Sequence, residues 1–263
     1  MTEITSAQNP KIKHLLQLQQ KSQLRRSEGL FVVEGRRELE HCLQAGYEVE
    51  SLFVRDANDA AGVEKTFLLP PALYEKVAYR GSTEGVIAIV KERRHTLDEL
   101  IPTPSRSAGA ESVPPLFVVL ESVEKPGNLG AVLRSADAAG ATAVIVCDPL
   151  TDLYNPNLIR ASIGAIFTVP TVACSSGECI DFLHEHGISI LTAQLQDSSL
   201  YYETDMRGPT AIVMGTESTG LSQQWRQAAT AHIRIPMLGR LDSLNVSVSA
   251  AILLYEAVRQ RRG

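Results

Sequence analysis

The sequence predicts an α/β protein of two domains, the second of which is built on a parallel sheet. Its 263 residues are enough for two modest hydrophobic cores. Residues 98–115 are rich in proline, serine and glycine, lack an apolar period, and are predicted to be a linker. After this linker, near-continuous apolar runs alternate with helical patterns, as in parallel strands buried on both faces. The predicted domains are therefore residues 1–97 and 116–263.

The first domain is predicted to be a small α/β domain because helical and strand patterns alternate along it. Apolar residues recur with helical spacing at Ile12, Leu15 and Leu16. Pro70 and Pro71 suit the first turn of another helix. The expected helices are residues 11–23, 35–45 and 72–77, and the expected strands are residues 30–33, 49–54 and 86–90.

The first 37 residues carry an excess of positive charge, although the formal net charge of the chain is −5. A basic surface of this kind binds RNA phosphates, but a solvated helix face would give the same pattern. The residues that we predict to contact RNA are Lys11, Lys13, Lys21, Arg25, Arg26 and Arg36.

The second domain is predicted to alternate parallel strands with helices. The expected strands are residues 116–120, 143–147, 188–192, 211–214 and 232–235, and the expected helices are residues 130–139, 180–186 and 246–261. Ligands of open α/β sheets bind beyond the carboxyl ends of the strands. Three unusual segments occur at such positions.

The first segment, residues 121–134, has the pattern N-x-G-x-x-x-R. Asn128 is a candidate helix cap, and Arg134 is expected one to two turns inside the helix. The third segment, residues 235–250, places Ser243 and Asn245 before the last helix, where they could cap it. Each of these polar residues alone is typical of a cap or of a surface.

The second segment, residues 212–222, places glycines directly after a strand, where the backbone can approach a ligand closely. Gly215 and Gly220 are spaced almost as in a phosphate-binding loop. However, Leu221 stands where that motif requires lysine, and Glu217 would repel phosphate. The charge therefore argues against a nucleoside triphosphate and favours a ligand with hydroxyl or cationic groups.

Taken in order, the three segments resemble the motifs of the SpoU/TrmH family of RNA ribose 2′-O-methyltransferases, within the SPOUT superfamily. The resemblance covers residues 116–262 and includes residues 153–165, in which Asn157 stands where many members have lysine. Residues 4–90 resemble the family's substrate-binding domain. The resemblance implies a trefoil knot in the second domain, S-adenosylmethionine as cofactor, and a homodimer with its sites at the interface.

The same resemblance implies the site residues. Those of the catalytic site would be Arg134, Asn245, Glu217, Ser243 and Asn128, and those of the cofactor site would be Gly215, Ile235, Leu244, Thr192 and Met237. The implied reaction is methylation of a ribose 2′-OH in structured RNA. Ribosomal RNA is the favoured substrate, and a tRNA methyltransferase or a non-catalytic RNA-binding module are the alternatives.

Neither a membrane segment nor a metal site is expected. No apolar run reaches the ~18 residues that span a bilayer, and the N-terminus lacks a signal-peptide pattern, so we predict a cytoplasmic location. None of the cysteines forms a C-x-x-C pair, and reduced buried thiols are expected. The cysteines are Cys42, Cys147, Cys174 and Cys179.

Overall fold

A computed structural model describes residues 1–60, 62–79, 84–101, 113–216 and 219–262. The chain divides into two compact units: unit 1 consists of Met1–Arg93 and Asp152–Thr168, and unit 2 consists of Arg94–Thr151 and Val169–Gly263. Most of the predicted linker, residues 102–112, lies outside the described residues.

The described strands and helices alternate along most of the chain. The strands are β1 (Thr2–Glu3), β2 (Leu30–Glu34), β3 (Val49–Val54), β4 (Thr66–Leu68), β5 (Val86–Lys91), β6 (Leu116–Glu121), β7 (Ala143–Cys147), β8 (Thr171–Cys174), β9 (Ser189–Ala193), β10 (Ser199–Leu200), β11 (Thr210–Met214) and β12 (Ala231–Arg234). The α-helices are α1 (Pro10–Gln20), α2 (Ser22–Glu28), α3 (Arg36–Gln44), α4 (Pro71–Val77), α5 (Pro126–Ala139), α6 (Pro156–Ser162), α7 (Ala165–Thr168), α8 (Ser176–Glu185), α9 (Gln223–Ala228) and α10 (Val246–Arg262).

Unit 1 contains a mixed five-stranded sheet in the order β1-β4-β3-β5-β2, in which β5 runs antiparallel to β2 and β3. Its core includes Ile12, Leu15 and Leu18 of α1, whose spacing gives the helix one apolar face. Asn9 caps α1 by accepting a hydrogen bond from the Lys11 amide.

The predicted single helix over residues 11–23 is wrong, because the chain breaks into α1 and α2 at Lys21. Lys21 has extended backbone, with φ −110° and ψ 103°. The Arg25 guanidinium turns back and donates to the Leu18 and Gln19 carbonyl oxygens, at 2.6 and 3.2 Å. The last turn of a helix leaves such carbonyls without intrahelical partners. Arg25 therefore supplies the hydrogen bonds that end α1.

Arg25 is a buried structural residue, which corrects the predicted RNA contact at this position. The residue is 4% exposed, and its Nε lies 2.7 Å from Oδ2 of Asp152. Both side chains of this ion pair are at least nine-tenths buried. A guanidinium held in this way is not free to contact an RNA phosphate.

We expect Arg25→Ala to lower the free energy of unfolding by about 3–5 kcal/mol, because it leaves the buried Asp152 carboxylate without its partner. The matched control is Arg26→Ala, an exposed neighbour on the same helix, which should change stability by less than about 0.5 kcal/mol. Urea unfolding of both variants measures the difference. Equal stability of the two variants would contradict the structural role of Arg25.

Residues 152–168 belong to unit 1, although the chain enters them from β7 and leaves them toward β8. The Tyr154 and Phe167 rings both stack on the Phe31 ring, with centroids 4.2 and 6.0 Å from the Phe31 centroid. Gly164 has φ +83°, and a Cβ there would lie 2.8 Å from His41. The predicted domain limits do not anticipate this grouping, since ring contacts between distant segments leave no local pattern.

Unit 2 is built on a seven-stranded sheet in the order β10-β12-β9-β11-β6-β7-β8, and every pair in it is parallel. Its core is formed by apolar residues of the sheet and of α8 and α9, including the fully buried Phe117 and Trp225. The predicted parallel-sheet α/β class is confirmed. Among the described helices, none is long and apolar enough to cross a membrane.

Candidate active site

A cavity of about 400 Å³ lies in unit 2 at the carboxyl ends of β9, β11 and β12. Parallel strands end at one edge of a sheet, so the loops that follow them converge there. Apart from Arg226, the lining comes from residues 193–196, 214–216, 219–221, 233–235, 237, 242–244, 246 and 249. The volume falls in the range of about 300–1,000 Å³ that is usual for small-molecule sites.

The loop after β11 folds back tightly on itself at the cavity wall. A Cβ on Gly215 would lie 2.2 Å from the Gly220 carbonyl oxygen and 2.6 Å from the Leu221 amide nitrogen. The Gly220 amide donates to the Thr216 carbonyl oxygen at 3.0 Å. Only glycine fits at position 215 without displacing this backbone. Glu217, a predicted catalytic residue, lies outside the described residues.

Four of the five predicted cofactor residues line the cavity: Gly215, Ile235, Leu244 and Met237. The fifth, Thr192, is fully buried within β9, and its hydroxyl lies 2.6 Å from Nδ1 of His232. Successive side chains of a strand point to opposite faces. The lining begins one residue later, at Ala193, so a cofactor contact of Thr192 stays a prediction.

Two residues of the cavity that were not predicted from the sequence have buried polar atoms without a hydrogen-bond partner among the described residues. These atoms are Gln194 Oε1 and Arg226 Nε. Buried polar atoms are usually paired, and an unpaired one is satisfied by water or a ligand. Gln194 directly follows a strand, which is a usable signal, whereas no pattern marks Arg226 in α9.

The first and third segments meet beside the last helix. Asn245 Nδ2 donates to Asn128 Oδ1 at 3.1 Å. Asn245 Oδ1 accepts from the Ser247 amide at 3.0 Å, so it also caps α10. Asn128 is not a helix cap, which corrects the prediction: Lys125 occupies that position, and Asn128 lies in the first turn because Pro126 starts the helix.

Ser243 and Arg134 differ in their surroundings. Ser243 lines the cavity and lies beside Asp242, another lining residue. Arg134 lies two turns into α5, which packs against α10. Its side chain is exposed and makes no hydrogen bond or ion pair with any residue that the structure describes. It is thus a cation that can accept an anionic ligand.

The cationic side chains predicted to contact RNA, other than Arg25, are exposed in unit 1. Lys13 and Arg26 point into solvent, and the Lys11 ammonium lies 4.7 Å from the centroid of the Phe67 ring. Arg36 is exposed but already pairs with Asp59 at 2.6 Å. The positive charge open to RNA is therefore smaller than the sequence suggested.

Comparisons with known proteins agree with the three segments. Residues 115–255 match the SpoU rRNA Methylase family, and residues 9–88 match an MRM3-like substrate binding domain. The 23S rRNA (guanosine-2′-O-)-methyltransferase RlmB of Pseudomonas syringae pv. tomato is 38% identical over 186 residues, or 69% of this chain and 72% of that protein.

Two solved structures extend the likeness to nearly the whole chain. An RNA 2′-O ribose methyltransferase has a TM-score of 0.80 and 41% identity, with 99% of both chains covered. An AdoMet-bound rRNA methyltransferase from Sinorhizobium meliloti has a TM-score of 0.88 and 28% identity, with 98% of this chain and 97% of that chain covered. By contrast, a TrmH/SpoU tRNA modifying enzyme of A. aeolicus matches 56% of this chain and 75% of that chain, at 29% identity and a TM-score of 0.51.

These matches confirm the predicted methyltransferase assignment and S-adenosylmethionine as the cofactor. The family match spans more than half of the 263 residues and contains all three loop segments. The chain therefore belongs to the SpoU rRNA Methylase family.

Proposed function

We propose that this protein transfers the methyl group of S-adenosylmethionine to a ribose 2′-OH of ribosomal RNA. The proposal rests on the cavity at the strand ends. The cavity is bordered by the tight turn at Gly215 and by the third segment, whose Asn245 is hydrogen-bonded to Asn128. As an enzyme of ribosomal RNA it would act in the cytoplasm.

The cavity suits S-adenosylmethionine in both its apolar and its polar parts. Leu221, Met237 and Leu244 offer an apolar wall to the adenine ring. The unpaired Gln194 Oε1 and Arg226 Nε are an acceptor and a donor, which match the ammonium and carboxylate groups of the methionine part. The bound cofactor supplies an electrophilic methyl group on a sulfonium.

Arg134 would act on the RNA as a fixed positive charge. A hydroxyl is a weak nucleophile until its proton is removed. A guanidinium in a protein stays protonated, so Arg134 cannot take that proton. It would instead bind an RNA phosphate and stabilise the negative charge that develops on the 2′-oxygen, while a phosphate oxygen or a water molecule accepts the proton. Asn245 and Ser243 would hold the ribose, with Glu217 completing the polar site.

The proposed assembly is a homodimer, and the proposed chain path includes a trefoil knot. Exposed apolar side chains cluster on α10 and on the loop before it: Leu238, Leu241, Val248 and Tyr255. Val248 and Tyr255 are two helical turns apart and lie on one face. A second copy of the chain would cover this surface. The knot is supported by the family resemblance and by the packing of α10, after the last strand, onto α5.

Ribosomal RNA is favoured over tRNA by the extent of the structural matches. The rRNA methyltransferase structure from S. meliloti covers 98% of this chain, whereas the tRNA modifying enzyme covers 56%. The match to the S. meliloti rRNA methyltransferase therefore includes the N-terminal substrate domain. A non-catalytic RNA-binding module would need neither the cavity nor its unpaired polar atoms.

The test is methyl transfer from labelled S-adenosylmethionine to ribosomal RNA and to tRNA, both purified from cells that lack the protein. We expect stoichiometric labelling of one site in ribosomal RNA and background labelling of tRNA. Preferential labelling of tRNA would support the alternative substrate. Binding of RNA without any labelling would support the non-catalytic module and contradict the proposal.

A further inference from the structure

Three of the four cysteines meet at one point of unit 2, away from the cavity. Their Sγ atoms all lie within 4.8 Å of one another. Cys147 and Cys174 are the last residues of β7 and β8 and are opposite each other in the parallel register. Cys179 lies in the second turn of α8, the helix that follows β8. Two adjacent strand ends and one helix thus direct their thiols to a common centre.

The spacing of these thiols suits a soft metal ion. Zn²⁺–thiolate bonds of about 2.3 Å place the sulfurs of a tetrahedral site about 3.8 Å apart. The three sulfurs would therefore need to close by about 1 Å at most. Thiolate ligands select soft or borderline ions such as Zn²⁺ and Cu⁺ over Mg²⁺ or Ca²⁺. Three protein ligands leave a fourth position for water or a carboxylate.

The surroundings of the cluster differ from an ordinary apolar core. Cys147 and Cys179 are fully buried, whereas Cys174 is partly exposed and gives an ion a path inward. The Asp148 and Glu178 carboxylates lie close enough to Cys174 to add negative potential.

Neighbouring hydrogen bonds hold the cluster's supporting residues in place. Asp148 Oδ2 accepts from the Ser176 hydroxyl at 2.6 Å, and that hydroxyl accepts from Trp225 Nε1 at 2.9 Å. Ser175 and Glu178 form a capping box at the start of α8. The residues around the thiols are therefore fixed before any ion binds, which is typical of a structural metal site.

We propose that Cys147, Cys174 and Cys179 form a structural site for a single thiophilic metal ion, with Zn²⁺ as the ion to be tested. Binding replaces the thiol protons, which pass to the buffer, by the metal. The ion would fasten the start of α8 to the ends of β7 and β8. The proposal is independent of the methyltransferase activity, since none of the three cysteines lines the cavity.

The test uses the reduced, chelator-treated full-length protein, titrated with Co²⁺ as a spectroscopic probe and then with Zn²⁺. We expect one Co²⁺ per chain, a thiolate-to-cobalt charge-transfer absorption, and its loss on addition of one equivalent of Zn²⁺. In Cys174→Ser the apparent affinity for Co²⁺ should fall by at least ~10–100-fold. A loss of this size is typical when a residue that only hydrogen-bonds to a metal ligand is removed. The partial exposure of Cys174 makes this variant the mildest change to folding.

Cys42→Ser is the matched control, because Cys42 is a buried thiol of unit 1 outside the cluster. It should retain the full absorption and stoichiometry. An absence of charge-transfer absorption in the wild-type protein, or equal absorption in wild type and Cys174→Ser, would overturn the proposal.

Discussion

Replacing Arg134 by alanine is expected to lower the single-turnover rate of methyl transfer by ~10²–10³, the usual effect of losing one preorganised donor to a developing oxyanion. The affinity for S-adenosylmethionine should stay near the wild-type value, because Arg134 does not line the cavity. Calorimetry with the cofactor and a rapid-quench assay on the RNA measure the two quantities separately. A large loss of cofactor affinity would contradict the proposed role.

Arg134→Lys separates a fixed charge from a catalytic base. Lysine keeps the positive charge but loses the planar donors that bind phosphate, so an intermediate rate is expected at neutral pH. If the residue at this position were the base, the lysine variant would gain rate as its ammonium lost a proton at high pH. We expect no such gain. A rate that climbs toward wild type as the pH rises would contradict the electrostatic role.

Gly215→Ala is expected to weaken cofactor binding by about 10- to 100-fold. The added Cβ would meet the Gly220 carbonyl oxygen at 2.2 Å, so the backbone of the loop must open. Overpacking of this kind typically costs about 1–3 kcal/mol, and 1.4 kcal/mol is a factor of ten in affinity. Calorimetric titration with S-adenosylmethionine measures the change.

Gly208→Ala is the control for this substitution, since a Cβ there meets nothing within 4 Å. It should bind the cofactor as wild type does. Thermal unfolding of both variants shows whether the protein remains folded. A folded Gly215→Ala variant with wild-type affinity would mean that the cofactor does not depend on the tight turn.

The parallel sheet could be predicted because each long central strand is a continuous apolar run, as in residues 143–147, which coincide with β7. Strands of two to four residues, such as β8 and β10, carry too few residues for a period. The break between α1 and α2 was missed because it depends on Arg25, whose partner Asp152 is 127 residues away.

Residues of the cavity could be predicted where a motif marks the loop itself, as for Gly215 and Ser243. They were missed where the fold brings unmarked residues to the cavity, as for Arg226. The cysteine cluster was missed for the same reason. The sequence has no C-x-x-C spacing, and it is the strand register that brings Cys147 beside Cys174. The spacing of residues in the sequence predicts contacts within one helix or strand. Contacts between elements depend on the strand register and on the crossover connections.

The position of the transferred methyl group distinguishes methylation of a ribose from methylation of a base. Ribosomal RNA labelled by the purified protein is hydrolysed in alkali, in which a methylated 2′-oxygen cannot attack the adjacent phosphate. We expect the label to stay in alkali-stable dinucleotides, and to be absent when Arg134→Ala replaces the wild type under the same short reaction. Label recovered in base-methylated mononucleotides would contradict methylation of a ribose.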